Sequence, residues 1–176
     1  MNILLETPRL RLRELMLEDV EYVLEIFSDT ETVQYLSHTK DRAQVQEWIH
    51  WAQEQYQLHG WGMWAIELQE SGQFVGECGL IEQKNIDGRD EMELAYHLVR
   101  RWWHHGFATE AAGVVRDWAF AQGFPRLVSY IDIRNIASIR VAEKNGMALE
   151  KTLSPAQNPW KKTVAVYVIT KNSEVG

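Results

Sequence analysis

A loop able to bind an anion lies at residues 103–111, which read W-H-H-G-F-A-T-E-A. It runs directly into an alanine-rich amphipathic stretch that ends near Gln122 and is predicted to be a helix. A helix start leaves backbone N–H groups without partners and carries partial positive charge, so Gly106 would let a phosphate approach the main chain. The same residues also suit an ordinary loop-to-helix junction, and this segment alone does not decide between the two.

A second group of reactive side chains is predicted on a strand over residues 92–99. Because side chains alternate along a strand, Glu93 and His97 share one face, and Tyr96 points to the other. His97, His104 and His105 raise the question of a metal or a base. No carboxylate or cysteine lies at a diagnostic ligand spacing from them, so we predict no metal site.

Hydrophobic patterns along the rest of the chain predict the strands and helices that position these residues. The predicted strands are 10–13, 61–68, 74–81, 92–99, 127–131 and 163–170, and the predicted helices are 20–27, 41–56, 107–122 and 135–146. The turns E-S-G and N-I-D-G-R-D separate the three central strands into an antiparallel meander. Asp41 and Gln44 have the spacing of a capping box. We expect an α/β (α+β) fold with one mixed, mostly antiparallel sheet of six to seven strands, flanked by about four helices.

Composition restricts the class of protein. The chain has 176 residues, 45% of them hydrophobic and 24% charged, which suits one globular domain over 1–176 with its core at 6–170. We expect a cytoplasmic protein with no membrane partner, since no apolar run has the length of a membrane span or a secretory signal. Cys78 is the only cysteine, so no intrachain disulfide can form. The net charge of -7 argues against direct nucleic-acid binding and suits cationic or amine partners, although acidity also serves solubility.

Four ordered motifs resemble the GCN5-related N-acetyltransferase (GNAT) superfamily, most closely its ribosomal-protein-alanine acetyltransferase (RimJ/RimL-like) branch. They are L-E-T-P-R-L-R-L-R near the start, the strand at 92–99, W-H-H-G-F-A at 103–108, and N-I-A-S-I-R-V-A-E-K-N-G at 135–146. The resemblance covers about residues 6–153. Any one motif alone is weak, and their order makes the match specific.

The resemblance implies that acetyl-CoA binds in an opening between the strands 92–99 and 127–131. Backbone N–H groups from His104 through Thr109 would hold the pyrophosphate, and main-chain groups near Leu98 would pair with the pantetheine amides. Arg100 and Arg101 would add charge there or simply be solvated. The cofactor-binding residues implied in this way are Leu98, Val99, Arg100, Trp103, His104, His105, Gly106, Phe107, Ala108, Thr109, Asn135 and Ser138.

The candidate catalytic residues are Glu93 and Ser138. Glu93 is predicted to be the base, directly or through a water, because it lies on the strand that would carry the acetyl group and faces away from the set Met92, Leu94 and Tyr96. The resemblance implies that Ser138 would hydrogen-bond the coenzyme sulfur. Both have structural alternatives, because Glu93 can be a solvated or salt-bridged strand residue and Asn135 can cap a helix through the Ser138 N–H. Many relatives place a general-acid tyrosine where this chain has Ala142, so a thiolate would leave unprotonated.

These observations predict an acetyl-CoA-dependent N-acetyltransferase that acts on a primary amine, with a protein N-terminal α-amine preferred over a lysine or a small-molecule amine such as a polyamine or aminoglycoside. Two alternatives remain from the residues alone: a non-catalytic acyl-CoA-binding sensor or interaction module, and a general phosphate-ligand domain. We expect the acceptor pocket to include the segments 35–38 and 155–160. Aromatic residues around Trp160 could pair subunits in a homodimer.

Overall fold

One mixed sheet forms the centre of the protein. The computed structural model describes residues 3–36 and 39–171. Its strands are β1 (Ile3–Glu6), β2 (Leu10–Glu14), β3 (Met63–Leu68), β4 (Phe74–Ile86), β5 (Arg89–Leu98), β6 (Arg126–Asp132), β7 (Ala148–Leu153) and β8 (Val164–Thr170). Their order across the sheet is β1-β2-β3-β4-β5-β6-β8-β7. Neighbouring strands are antiparallel except β5 and β6, which are parallel.

Helices cover both faces of the sheet. In the described part of the chain they are α1 (Val20–Ser28), α2 (Thr30–Val33), α3 (Arg42–His59), α4 (Phe107–Ala121) and α5 (Ile136–Lys144), with short 3-10 helices at Leu17–Asp19, Arg100–Trp102 and Pro155–Gln157. One core joins α1 and α3 to the face that carries Ala65 and Ala95. A second core joins α4 and α5 to the opposite face, which carries Leu94 and Leu98. The sheet is therefore the middle of three layers.

The predicted α/β architecture is confirmed, but the strand count of six to seven is wrong, because the described residues form eight strands. The two strands that sequence reasoning missed are β1 and β7. β1 is a four-residue strand at the edge of the sheet. Most side chains of β7 are exposed, so its sequence shows no clear alternation of apolar and polar residues.

The hairpin between β4 and β5 is longer than predicted. N-I-D-G-R-D was interpreted as a loop, but only Asp87 and Gly88 form the turn, with φ values of 50° and 79°. Ile86 and Arg89 already pair across the two strands. Two consecutive positive φ values are what a two-residue hairpin turn requires, and Asp-Gly is a preferred sequence for it.

Helix boundaries agree with the sequence signals. Asp41 caps α3, and it exchanges hydrogen bonds of 2.9 Å with Gln44 in the predicted capping box. Gly60 ends α3 with φ of 77°. Asn135 caps α5, whose end is followed by Gly146 at φ of 80°. None of the helices in the described residues is long and apolar enough to cross a membrane.

The β5–β6 seam is the feature that positions the site. Their parallel ladder has one registered pair, Glu93 with Val128. Beyond it, the hydroxyl of Ser129 donates to the carbonyl of Leu94 at 2.7 Å. The ladder does not continue toward Leu98, so the two strands leave a crevice between them.

Candidate active site

The crevice between β5 and β6 contains the two side chains that sequence reasoning assigned to catalysis. Glu93 and Ser138 both line it, as does Asn135. The remaining lining residues come from β5, from β6 and from the segment after α2: Leu94, Ala95, Tyr96, His97, Ser129, Tyr130, Ile131, Asp132, Tyr35 and Leu36. The predicted opening therefore exists.

Main-chain groups line the β5 side of this crevice. The carbonyl of Leu98 accepts a hydrogen bond of 3.0 Å from the Trp103 indole, so that oxygen is already used. The carbonyls of Leu94 and Leu98 both face away from β4. Main-chain direction alternates along an antiparallel strand, so the N–H and C=O of Tyr96, which lies between them, face the same open edge. Tyr96 thus offers a donor and an acceptor to a ligand lying along β5.

The anion loop ends at Gly106, which adopts φ of 82° and caps α4. A side chain at this φ would be strained. The Gly106 main chain is exposed, and a Cβ built there would meet only Arg9 within 4 Å, at an ordinary contact distance of 3.5 Å. No side chain of the described residues caps the first turn of α4. The N–H groups of Phe107, Ala108 and Thr109 are therefore positioned for an anion, and the loop fits a coenzyme diphosphate.

Five contacts fix the shape of the loop. Arg9 donates to the carbonyl of His105 at 3.0 Å and lies 4.6 Å above the Phe107 ring. Glu110, one turn into α4, forms a 2.6 Å ion pair with Arg9. The ring of His105 stacks on Phe107, and its Nδ1 contacts the carbonyl of Trp103 at 2.8 Å. His105 thus has a structural partner within the loop, and His104 is an exposed residue with φ of 65°.

The arginines before the loop contact the α1 side of the molecule. Arg100 is exposed and lies 3.8 Å from the carboxylate of Asp29. Arg101 pairs with Glu25 on α1. Leu98 and Val99, which precede them, are buried. A phosphate contact by Arg100 stays a prediction, and the structure pairs Arg101 with another part of the surface.

Glu93 lies where β5 and β6 begin to separate. Gln83 on β4 donates to its carboxylate at 2.6 Å, and the Tyr130 N–H lies 3.5 Å from the other oxygen. Burial raises the pKa of Glu93 from 4.5 to about 7, and the Gln83 hydrogen bond acts in the opposite direction. A carboxylate with this pKa can accept a proton near neutral pH and release it again.

Ser138 and Tyr96 meet on the α5 side of the crevice. The Tyr96 hydroxyl donates to the Ser138 carbonyl at 3.0 Å, and the Ser138 hydroxyl lies 3.2 Å from the Tyr96 oxygen. The Ser138 N–H also donates to the side chain of Asn135 at 3.1 Å, so the predicted capping role is present. Ala142, at the position of the tyrosine in many relatives, is fully buried. Tyr96 therefore supplies a hydroxyl near Ser138 from a different element.

The other wall of the crevice is held by two cations. Lys162 donates to the carbonyls of Gln34 and Leu36, and Arg134 donates to the Gln34 carbonyl at 3.3 Å. Both cations lie beside the buried carboxylate of Asp132, whose pKa is lowered by hydrogen bonds from Arg134. Tyr35 and Leu36, from the segment predicted to bind the acceptor, line the crevice, whereas residues 37–38 lie outside the described residues. Their role in binding an acceptor stays a prediction.

Sequence reasoning missed several residues that shape the site. Arg9 lies 96 residues before its loop partner His105, so no local pattern could reveal it. Glu77 is fully buried on β4. Its place within the apolar run F-V-G-E-C-G-L was a usable signal, because a buried carboxylate needs polar partners. Among the described residues, no group of three or more His, Cys, Asp or Glu side chains is arranged to hold a metal ion.

Comparisons with known proteins agree with this geometry. The family model of the acetyltransferase (GNAT) domain matches residues 9–148. The uncharacterized protein YkkB of Bacillus subtilis (strain 168) is 38% identical over 165 residues, which cover 93% of each chain. The crystal structure of an acetyltransferase from Agrobacterium tumefaciens str. C58 superposes with a TM-score of 0.81 at 28% identity, over 95% of this chain and 94% of that one.

The fold is also shared with RimL, a ribosomal L7/L12 alpha-N-protein acetyltransferase solved in complex with coenzyme A. The TM-score is 0.80 at 17% identity, and the match covers 98% of this chain and 100% of that one. The chain belongs to the GNAT acetyltransferase domain family, with a RimL-like fold. It is an acetyl-CoA-dependent acyltransferase, which favours catalysis over the sensor and phosphate-domain alternatives.

Proposed function

We propose that this enzyme transfers the acetyl group of acetyl-CoA to a primary amine by direct attack in a ternary complex, and that a protein N-terminal α-amine is the preferred acceptor. The observation that supports this most is the arrangement of Glu93 and Ser138 in one crevice between β5 and β6. Acetyl-CoA supplies an activated acyl group and a thiol leaving group, and the protein supplies binding, orientation and proton transfer.

Glu93 accepts a proton from the arriving ammonium group. An α-amine has a pKa of about 7.7 to 8.0 and a lysine about 10.4. Burial raises the pKa of Glu93 to about 7. Proton transfer to Glu93 is therefore uphill by about 1 kcal/mol from an α-amine and by about 5 kcal/mol from a lysine. This difference favours an N-terminal acceptor.

Ser138 donates a hydrogen bond to the departing sulfur. Its hydroxyl lies on the α5 side of the crevice, whereas Glu93 lies on the strand face that packs against α1 and α3. A cofactor between them would present its thioester to an amine that enters along the Tyr35 and Leu36 wall. The Tyr96 N–H at the open edge of β5 would polarise the thioester carbonyl.

The test is release of free coenzyme A thiol from acetyl-CoA with a panel of acceptors. The panel contains peptides with a free N-terminus and no lysine, the same peptides with a blocked N-terminus and one lysine, polyamines and aminoglycosides. We expect turnover on the free N-terminal peptides to exceed turnover on the blocked peptides. Equal or faster turnover on the polyamines or aminoglycosides would reassign the acceptor to a small molecule, and no turnover on any amine would reject the proposed function.

A further inference from the structure

The crevice contains a second side chain that can accept a proton, His97, besides Glu93. His97 lies on the same face of β5 as Glu93, and its side chain is 19% exposed. Its Nδ1 lies 2.9 Å from an oxygen of Glu77. Among the described residues its Nε2 makes no hydrogen bond, and the ring lines the crevice.

Glu77 is held on both oxygens. It pairs directly with His97 in the β4–β5 ladder, so the two side chains project from the same face. Its second oxygen accepts a hydrogen bond of 3.0 Å from the Trp48 indole on α3. The carboxylate is fully buried. An ionised carboxylate is acceptor-only, so it selects the tautomer of His97 that carries its proton on Nδ1 and leaves the Nε2 lone pair toward the crevice.

Position along β5 favours His97 for contact with the acceptor nitrogen. His97 directly follows Tyr96, whose N–H faces the open edge, whereas Glu93 is four residues from His97, about 13 Å between Cα atoms. The charged and titratable groups facing the ring are Glu77 on β4, Glu93 on β5, and Lys40, which lies over the rings of Phe27 and Trp48. The Phe27 ring packs 5.5 Å from the His97 ring. Tyr35 and Asp132 line the same crevice.

We propose that His97 Nε2 takes the proton released as the amine attacks, with Glu77 and Trp48 as the positioning residues that fix its tautomer. This rests on the proposed function. An ammonium acceptor must lose two protons to become an amide, and Glu93 takes the first. The nitrogen lone pair then forms the C–N bond, the C–S bond breaks, its electron pair leaves on the sulfur as thiolate, and the second nitrogen proton passes to His97.

The central variant is Glu77→Gln. The glutamine side chain has the same shape as glutamate, but an N–H₂ donor replaces one of the two acceptor oxygens. The Trp48 indole is a donor only, so it takes the amide oxygen and leaves the amide N–H₂ facing His97 Nδ1. His97 is then forced to carry its proton on Nε2, where it cannot accept another. In the double variant Glu77→Gln/Trp48→Phe the amide can turn and present its oxygen to Nδ1 again. If Glu77 had a purely structural role, the double variant would have a lower kcat/KM than Glu77→Gln alone. If Glu77 fixes the tautomer of His97, the double variant should have the higher kcat/KM of the two.

The experiment measures kcat/KM across pH, the acetyl-CoA dissociation constant and the imidazole ¹⁵N shifts of the full chain. His97→Asn keeps an N–H toward Glu77 and removes the base, and His50→Asn on the exposed face of α3 is the matched control. We expect about 100-fold lower kcat/KM in His97→Asn, with unchanged acetyl-CoA affinity and the same activity rise near pH 7. We expect Glu77→Gln to lower kcat/KM at least about tenfold. Adding Trp48→Phe to that variant should restore part of the lost kcat/KM.

Two results would overturn the role of His97 without affecting the proposed function. One is a wild-type ¹⁵N spectrum with the proton on Nε2. The other is a His97→Asn variant whose kcat/KM stays within twofold of wild type on an accepted amine. If wild type acetylates no amine although the spectrum shows the Nδ1–H tautomer, the proposed function fails and the base role fails with it. The spectrum and the turnover assay thus separate the two failures.

Discussion

The Gly106 loop and the acceptor side of the crevice are built in different ways. The loop uses backbone N–H groups of consecutive residues at the start of α4, and one conformation, φ of 82° at Gly106, makes them accessible. The acceptor side uses side chains from β4, β5, β6, α3 and the segment after α2. Binding of a common donor needs only local main chain, whereas recognition of a particular amine needs side chains that the fold brings together.

This difference predicts two separable sets of variants. Changes at the loop should alter the acetyl-CoA dissociation constant and leave the chemical step intact, and changes in the crevice should do the reverse. A variant that changed the acetyl-CoA dissociation constant and the rate of the chemical step by the same factor would show that the two regions act as one unit.

Glu93→Gln should have the largest effect, a fall in kcat/KM of about 100-fold or more, because it removes a general base. Glu93 is ionised only above its raised pKa of about 7. Wild-type kcat/KM should therefore rise as the pH passes through about 7, and the variant should lack that rise. Stopped-flow or steady-state thiol release over pH 6 to 9 measures it, and calorimetry should find the acetyl-CoA affinity unchanged. A variant that kept the rise would transfer the base role to another group.

Gly106→Ala should weaken acetyl-CoA binding by about tenfold, since a left-handed φ costs a residue with a Cβ about 1 to 2 kcal/mol. Gly123→Ala is the matched control, because Gly123 lies just past the other end of α4 with φ of 95° and open space around it. Both variants should lose similar stability. Only Gly106→Ala should bind acetyl-CoA more weakly in calorimetry, and equal affinities in the two variants would contradict the anion site.

Ser138→Ala should lower kcat by about tenfold through loss of a hydrogen bond to the thiolate. The acetyl-CoA affinity should stay within about twofold, and Ser71→Ala in the exposed β3–β4 turn serves as the control. Tyr96→Phe keeps the ring and removes the partner of the Ser138 hydroxyl. A kcat for Ser138→Ala equal to that of wild type would leave Ser138 with only its capping contact.

Glu93 also makes stability depend on pH. Its folded pKa is raised above the unfolded value, so the native state holds the proton more tightly and stability falls as pH rises from about 4.5 to about 7. The full shift corresponds to about 3 kcal/mol, and because the Glu93 side chain is only partly buried we expect about 1 to 2 kcal/mol. Glu93→Gln should therefore unfold at higher urea concentration than wild type at pH 8. At pH 4 the two proteins should have similar midpoints.

Arg9→Ala should have the smallest effect, about a threefold weaker acetyl-CoA affinity, because the ion pair with Glu110 is partly exposed. Arg42→Ala removes another exposed ion pair far from the loop and is the control. A loss in kcat instead of affinity would mean that Arg9 shapes the crevice as well as the loop.

The sequence predicted the parts of the fold that local patterns encode. The capping box at Asp41 and the glycines that end helices were readable because each uses residues within four positions of one another. The crevice followed from the resemblance and is present. Edge strands β1 and β7 were missed because short or exposed strands leave no alternation.

The contacts of the site residues could not be predicted from the sequence, because they join residues that are far apart in the chain. The partner of Ser138 is Tyr96, 42 residues away, and the partner of His97 is Glu77, 20 residues away. Such pairs depend on strand register and helix packing, which a single sequence does not fix. Glu93 was found because it lies on the strand next to the opening, but its raised pKa depends on burial that only the structure shows.

The single registered pair between β5 and β6 couples the two halves of the sheet only weakly. Antiparallel ladders join strands β1 to β5 into one half of the sheet and strands β6 to β8 into the other. Only one registered pair between β5 and β6 links the two halves of the sheet. A pantetheine arm lying in the gap would act as a missing strand, so the donor substrate should rigidify the molecule before the acceptor arrives. We therefore expect the substrates to add in order, with acetyl-CoA first.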